Sequence, residues 1–233
     1  MFDNDHPLRL ATGNHEAGSG KGCAMNVISW ENGDTVITDL PACSDPMLAR
    51  IVQHVNDTIC THAGARLLCP SCSEKVLDLA HRTVGTGGIL TGTALHVVWV
   101  KVACELARSV AHLNRDPRVM AAIVAAEQWA NNPNVAAAAA AANAANAAAY
   151  AAYAANAAAA NAANAAYAAY AYAAYAADAA NAAAYAAAYA AVSRLDVAHT
   201  AIDIFQRLTG HTDQPVEPPV VHNAIERMLV AHV

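Results

Sequence analysis

The chain has 233 residues and a formal net charge of −6, with 13 lysines and arginines against 19 acidic residues. This length is enough for one or two domains with their own hydrophobic cores. Proteins that work on nucleic acid usually present a basic face or stripe, and none is visible here, so we expect no nucleic-acid partner. A long alanine-rich tract is too weakly hydrophobic, and too often interrupted by asparagine, to span a membrane, so we expect no membrane partner.

The first 21 residues are polar and lack the apolar core of a secretory signal peptide. We predict that residues 1–21 form a flexible N-terminal tail. The six cysteines of the chain, without such a signal, indicate a reducing cytoplasm with free or metal-bound thiols rather than a disulfide framework.

The segment Cys23–Asp39 has two interpretations. Asn32-Gly33 lies between two apolar pairs, which is typical of a β-hairpin turn. The same residues also fit a short helix, Cys23–Glu31, which Gly33 ends as a C-terminal cap. The local pattern alone leaves both interpretations open.

After Asp39, apolar residues recur at helical spacing between clear start and stop signals, which predicts an all-α chain. The expected helices are one opened by Ser44 and Pro46, one opened by Ser73 and Glu74, one over about Leu90–Leu113, one from Asp116-Pro117 to Asn131, and one that ends at Gly210. A proline-rich linker then leads to a last helix within residues 211–233.

The stretch Ala136–Ala191 consists almost entirely of alanine, asparagine and tyrosine, and Asp178 is its only charged residue. Alanine has the highest helix propensity, and at about 100° per residue nearly all the tyrosines and asparagines fall on one half of the helix. A single rod of this length is too long for a compact domain, so we predict a helical hairpin or bundle over residues 133–210. Residues 22–132 are expected to form a helical N-terminal half.

Neither face of this alanine-rich helix carries the lysines and glutamates of an ordinary solvated surface. We therefore expect at least one face to be covered by the N-terminal half, by a second copy of the chain or by a protein partner. Tyrosine offers a large contact area at low entropy cost, and asparagine offers adaptable hydrogen bonds. The predicted interaction surface consists of Tyr150, Tyr153, Tyr167, Tyr170, Tyr175, Tyr185, Tyr189, Asn143, Asn146 and Asn164.

A block of short motifs stands out in the N-terminal half: Gly22-Cys-Ala-Met25, Ile28-Ser-Trp30, Asp39-Leu-Pro-Ala-Cys43, Pro46 and Val55-Asn-Asp57. This block resembles a family of uncharacterised actinobacterial and actinophage proteins that pair it with an alanine-rich helical half. The alanine-rich half is also similar to proteins proposed as immunity factors of bacterial toxin systems. The resemblance implies a helix, rather than a hairpin, for Cys23–Glu31, and it transfers no activity or catalytic residue.

The clearest site signal is the pattern Cys60-x-His62-x6-Cys69-x2-Cys72. Two closely spaced donors, a short loop and a C-x2-C pair can present four soft or borderline ligands tetrahedrally, as a zinc site requires. Four protein ligands leave no open position for water, so we expect such a zinc ion to be structural rather than catalytic.

Other interpretations of these residues stay open. Cys43 and His81 are alternative ligands that can replace one of the four. Cys69 and Cys72, at the start of a helix, also fit a redox pair whose thiol pKa the helix dipole lowers, although no βαβ pattern surrounds them. They also fit unliganded thiols in a loop and helix cap. The glycine-rich segment 81–88 fits an anion-binding nest or, as we favour, an interhelical loop.

The sequence contains no familiar catalytic motif, since neither H-E-x-x-H nor G-x-S-x-G occurs. We expect a non-enzymatic binding protein that uses the tyrosine and asparagine surface, and the resemblance implies a setting of immunity or phage–host conflict. One alternative is a self-assembling structural protein whose alanine faces pack between subunits. The other is a small-ligand receptor or enzyme with a pocket between the two halves.

Overall fold

The computed structural model describes residues 9–13, 21–60, 66–111, 117–133 and 194–213. The predicted tyrosine and asparagine interaction surface, His62, and the proline-rich linker with its last helix lie outside these residues. So does most of the hairpin or bundle predicted over residues 133–210.

Six helices make up the described part of the chain, which contains no β-sheet, so the all-α prediction is confirmed. They are α1 (Ala24–Glu31), α2 (Pro46–Thr58), α3 (Pro70–His81), α4 (Gly92–Val110), α5 (Pro117–Asn131) and α6 (Arg194–Thr209). None of these helices combines the length and the apolar character that a membrane span needs.

Backbone contacts divide the described residues into two compact units. Unit 1 consists of the described residues within 1–88 together with Asp213, and its helices α1, α2 and α3 pack against one another. Unit 2 consists of the described residues within 89–212, and its helix α4 packs against both α5 and α6. The division lies inside residues 22–132, which the sequence suggested as one helical half.

Unit 1 contains a helix where the sequence allowed either a helix or a hairpin. The Cys23 amide donates a hydrogen bond to Asn26 Oδ1 at 2.9 Å, which closes the first turn of α1. Asn32 caps the other end, and Gly33 follows with a φ of +77°, a left-handed conformation that glycine adopts at little cost. The helical interpretation of this segment is confirmed.

The helix α2 is capped by a residue one position later than its sequence signals suggest. The cap is Asp45, whose Oδ1 accepts hydrogen bonds from the amides of Met47 at 2.9 Å and Leu48 at 3.4 Å. A carboxylate at this position also faces the positive end of the helix dipole, which favours Asp45 as the cap. Ser44, the predicted cap, instead shares a hydrogen bond with the Thr83 hydroxyl at 2.8 Å.

The helix α3 begins at Pro70, three residues before the predicted start at Ser73. Cys69 is its N-cap, and the fixed φ of Pro70 suits the first helical position. Ser73 is fully buried, and its hydroxyl accepts a hydrogen bond from the Leu10 amide at 3.0 Å instead of capping the helix. The C-x2-C pair therefore spans the cap and the first turn of α3.

The core of unit 1 lies between its three helices. Apolar side chains of α2 and α3 that recur at helical spacing are buried, and α1 adds two large side chains. The buried residues include Met25 and Ile28 from α1, Leu48, Ile51, Val52 and Val55 from α2, and Val76, Leu77 and Ala80 from α3.

Unit 2 has a core of large apolar side chains. Trp99 of α4 and Phe205 of α6 are almost completely buried, and their ring centroids lie 5.1 Å apart. Ile123 of α5 is fully buried as well. At the surface, two 2.6 Å hydrogen bonds from the Arg108 guanidinium to the Glu127 carboxylate join α4 to α5.

Candidate metal centre

Three thiols converge where α2 ends and α3 begins. Cys60 lies just beyond the end of α2, Cys69 is the N-cap of α3, and Cys72 lies in its first turn. Residues three apart are neighbours on a helix surface, so the early start of α3 at Pro70 places Cys69 and Cys72 side by side. The end of α2 and the start of α3 thus bring the three cysteines of the sequence pattern into one local cluster.

The sulfur atoms of Cys60, Cys69 and Cys72 all lie within 4.8 Å of one another. A tetrahedral zinc ion with Zn–S bonds of about 2.3 Å holds its sulfur ligands about 3.8 Å apart. Small side-chain rotations are therefore enough to close the cluster around an ion. Cys60 and Cys69 are partly exposed, which leaves a route for an ion from solvent. Three cysteines in this arrangement can hold a metal ion.

Hydrogen bonds and burial set the electrostatics of the cluster. The Cys69 amide donates a hydrogen bond to Cys60 Sγ at 3.5 Å, which links the residue just beyond α2 to the N-cap of α3. Burial, followed by hydrogen bonding to the Cys69 and Cys60 sulfurs, raises the pKa of the Cys72 thiol to about 12. A coordinated cation reverses this preference, because a coordinating thiol is deprotonated outright.

The raised pKa of Cys72 makes this thiol a poor nucleophile. The redox interpretation of the C-x2-C pair therefore depends on Cys69, which lies at the N-cap of α3. That interpretation stays a prediction.

Residues 9–13 lie against the segment that carries Cys69. Ala11 and Leu67 form an antiparallel bridge, and Leu10 is only 2 % exposed. Leu10 and Ala11 are therefore packed, although they lie within residues 1–21, for which the sequence predicted a flexible tail. The alternation of leucine and arginine at positions 8 to 10, typical of a half-buried extended segment, is the sequence signal that indicates this packing.

The structure places the two alternative ligands away from the cluster in the described part of the chain. His81 Nε2 lies 2.8 Å from Glu31 Oε2, so this ring is paired with a carboxylate. Cys43 Sγ lies 3.9 Å from Ser44 Oγ, and burial raises the pKa of its thiol. His62 lies outside the described residues, so its place as the fourth ligand stays a prediction.

The glycine-rich segment 81–88 forms an interhelical loop. The Asp45 amide donates a hydrogen bond to the hydroxyl of Thr86, which is buried. Gly87 approaches the neighbouring backbone so closely that a side chain there would collide with the Ala42 carbonyl oxygen. Because these groups fix the loop against the start of α2, they support a structural role rather than an anion-binding nest.

Comparison with protein-family models, curated proteins and solved structures found no match. The resemblance of the N-terminal block to actinobacterial and actinophage proteins therefore stays a prediction. The interpretation of the cysteine cluster rests on its own geometry and chemistry.

Proposed function

We propose that unit 1 binds one structural zinc ion through Cys60, His62, Cys69 and Cys72. The observation that carries this proposal is the convergence of the three thiols within 4.8 Å. Soft thiolate ligands suit zinc, copper(I) and iron–sulfur clusters, and the addition of an imidazole favours zinc among these. His62 supports this choice because it lies two residues after Cys60 in the chain.

A structural role for the zinc ion agrees with the short lengths of the two helices that it joins. The helices α2 and α3 have 13 and 12 residues, and short helices depend on tertiary contacts for their stability. Zinc bound between the end of α2 and the start of α3 adds its binding free energy to the folding free energy of unit 1.

Metal content measured on untagged protein by mass spectrometry tests this proposal. We expect one zinc ion per chain in the wild type and a loss of bound zinc in Cys72→Ser, because the serine hydroxyl is a poor zinc ligand. Cys104→Ser is the matched control, since Cys104 is buried in unit 2 and its Sγ contacts the Ile123 carbonyl at 3.9 Å. A wild-type chain that contains no zinc and takes up none when titrated would overturn the proposal.

We further propose that the chain is a non-enzymatic binding protein that acts in the reducing cytoplasm. Its partner is a protein, and the setting is immunity or phage–host conflict. The uncharged tyrosine and asparagine pattern of the sequence supports a recognition surface. The convergence of Cys60, Cys69 and Cys72 on a candidate metal site supports a reducing compartment, where thiols stay available as metal ligands.

A pull-down with a tyrosine-to-alanine variant tests the binding role. Replacing Tyr167, Tyr170 and Tyr175 by alanine keeps the helix propensity and removes the large side chains. We expect proteins captured by the wild type to be lost from this variant, while its helical circular dichroism signal is unchanged. Equal capture by both chains contradicts the proposal.

Light scattering after size-exclusion chromatography tests the alternative of a self-assembling structural protein. A strictly monomeric chain excludes that alternative.

A further inference from the structure

We infer that the metal ion controls the docking of residues 9–13, so that loss of the ion releases this segment from unit 1. This inference rests on the proposed zinc site and concerns how occupancy of that site is transmitted to the rest of the unit. It depends on hydrogen bonds that connect the segment to each of the three places that supply a thiol.

The first set of bonds joins residues 9–13 to the extended segment that leads into Cys69. Together they form a short antiparallel pairing, to which one side chain adds a further bond. The bonds run from the Leu68 amide to the Leu10 carbonyl (2.8 Å), from the Thr12 amide to the Arg66 carbonyl (3.0 Å), and from Arg9 Nε to the Leu68 carbonyl (3.1 Å).

The second set joins the same segment to the two helices that flank the thiols. Near the end of α2, Asn56 Nδ2 donates to the Ala11 carbonyl at 2.8 Å, and the Gly13 amide donates to Asp57 Oδ1 at 2.9 Å. At the start of α3, the Leu10 amide donates to Ser73 Oγ at 3.0 Å. Residues 9–13 therefore contact the same three pieces of chain that the metal ion joins.

A bound ion stabilises this arrangement by holding those three pieces together. The ion connects Cys60 to Cys69 and so closes the short loop between them. Contacts that need both Cys60 and Cys69 in place then no longer bear the entropic cost of closing this loop. Without the ion, the pairing of residues 9–13 and the burial of Leu10 and Leu68 must hold residues 66–69 in place. The two binding events are therefore expected to be positively coupled.

Hydrogen–deuterium exchange on the full chain, with zinc added or removed by a chelator, tests this coupling. The amides of Leu10, Ala11 and Thr12 are all hydrogen-bonded, so they exchange slowly while the segment is docked. We expect chelation to accelerate their exchange by about tenfold or more, since local release needs no global unfolding. Peptides from α4, α5 and α6 in unit 2 provide the internal control and should not change.

The reciprocal measurement is the zinc affinity of a variant that weakens docking. Leu10→Ala removes a buried side chain of the segment without touching a ligand. Coupling between two sites is reciprocal, and we expect zinc to bind this variant about tenfold more weakly. Val36→Ala is the matched control, because Val36 belongs to the same unit and is 74 % exposed.

The outcomes separate this inference from the proposed site. A chain that binds no zinc contradicts the proposed site and the inference together. A chain that binds zinc with the predicted ligands, but shows the same exchange in residues 9–13 with and without the ion, overturns only the inference. Equal zinc affinities for Leu10→Ala and Val36→Ala would overturn it as well.

Discussion

Unit 1 and unit 2 are each built from three described helices, but they differ in how many polar side chains they bury. Among the described residues nine polar or charged ones are buried, and eight of them belong to unit 1, while unit 2 contributes Gln206. The helices of unit 1 have 8, 13 and 12 residues, against 19, 15 and 16 in unit 2. Unit 1 therefore adds specific buried hydrogen bonds to its apolar core, whereas the described core of unit 2 is almost entirely apolar.

The two units should therefore respond differently to damage. A buried hydrogen bond is directional, so it fails when the segment that carries either partner moves. In unit 1 such bonds hold residues 9–13 and the loop 81–88 in place, and a metal ion adds to them by our proposal. Apolar burial in unit 2 is non-directional and depends on the area and volume that the side chains fill. Unit 2 should therefore be insensitive to zinc and sensitive to cavities.

The largest effect is expected from a cavity in unit 2. Ile123→Ala deletes a fully buried side chain of α5, and such deletions lower the free energy of unfolding by about 2–5 kcal/mol. The measurement is native-state hydrogen exchange of the α4, α5 and α6 amides, which should accelerate while those of unit 1 do not. Val124→Ala is the matched control, since Val124 is the next residue and is 39 % exposed, and it should cost less than about 0.5 kcal/mol. Equal effects of the two variants would contradict a well-packed core around Ile123.

Much of the fold was predictable because helical spacing is a local property. The positions Leu48, Val52 and Val76 recur at helical spacing, which predicts a buried face, and all three are buried. Helix starts were less accurate, since Asp45 rather than Ser44 caps α2 and α3 begins three residues early. In both cases the predicted serine bonds to a residue far along the chain, and such long-range partners cannot be inferred from local patterns.

The same reasoning explains what the sequence indicated about the site. The spacing of Cys69 and Cys72 is local, so the pattern identified them as neighbours, and their proximity to Cys60 is confirmed. The pairing of His81 with Glu31 spans 50 residues, so the sequence left His81 open as a ligand. The rise in the pKa of Cys72 was also unpredictable, because burial and the other two sulfurs cause it.

A smaller effect, confined to unit 1, is expected from the loss of one buried amide. Asn56 is fully buried; it donates to the Ala11 carbonyl at 2.8 Å and accepts from the Ala24 amide at 3.3 Å. Asn56→Ala leaves both buried backbone groups without this partner, which should cost about 1–3 kcal/mol. Exchange should accelerate in residues 9–13 and at the start of α1, with no change in unit 2.

The control for this variant is Gln53→Ala on the same helix. Gln53 Nε2 donates to the Asp39 carbonyl at 2.9 Å from a partly exposed position, so water replaces the lost bond at little cost. If Asn56→Ala and Gln53→Ala have the same effect, burial does not decide the strength of the hydrogen bonds in unit 1. If Asn56→Ala accelerates exchange in unit 2 as strongly as in unit 1, the two units do not respond separately. An acceleration of exchange that is confined to unit 1 supports the contrast between the units. If added zinc partly reverses this acceleration, it also supports the coupling of residues 9–13 to the metal ion, because zinc and Asn56 then hold the same segment.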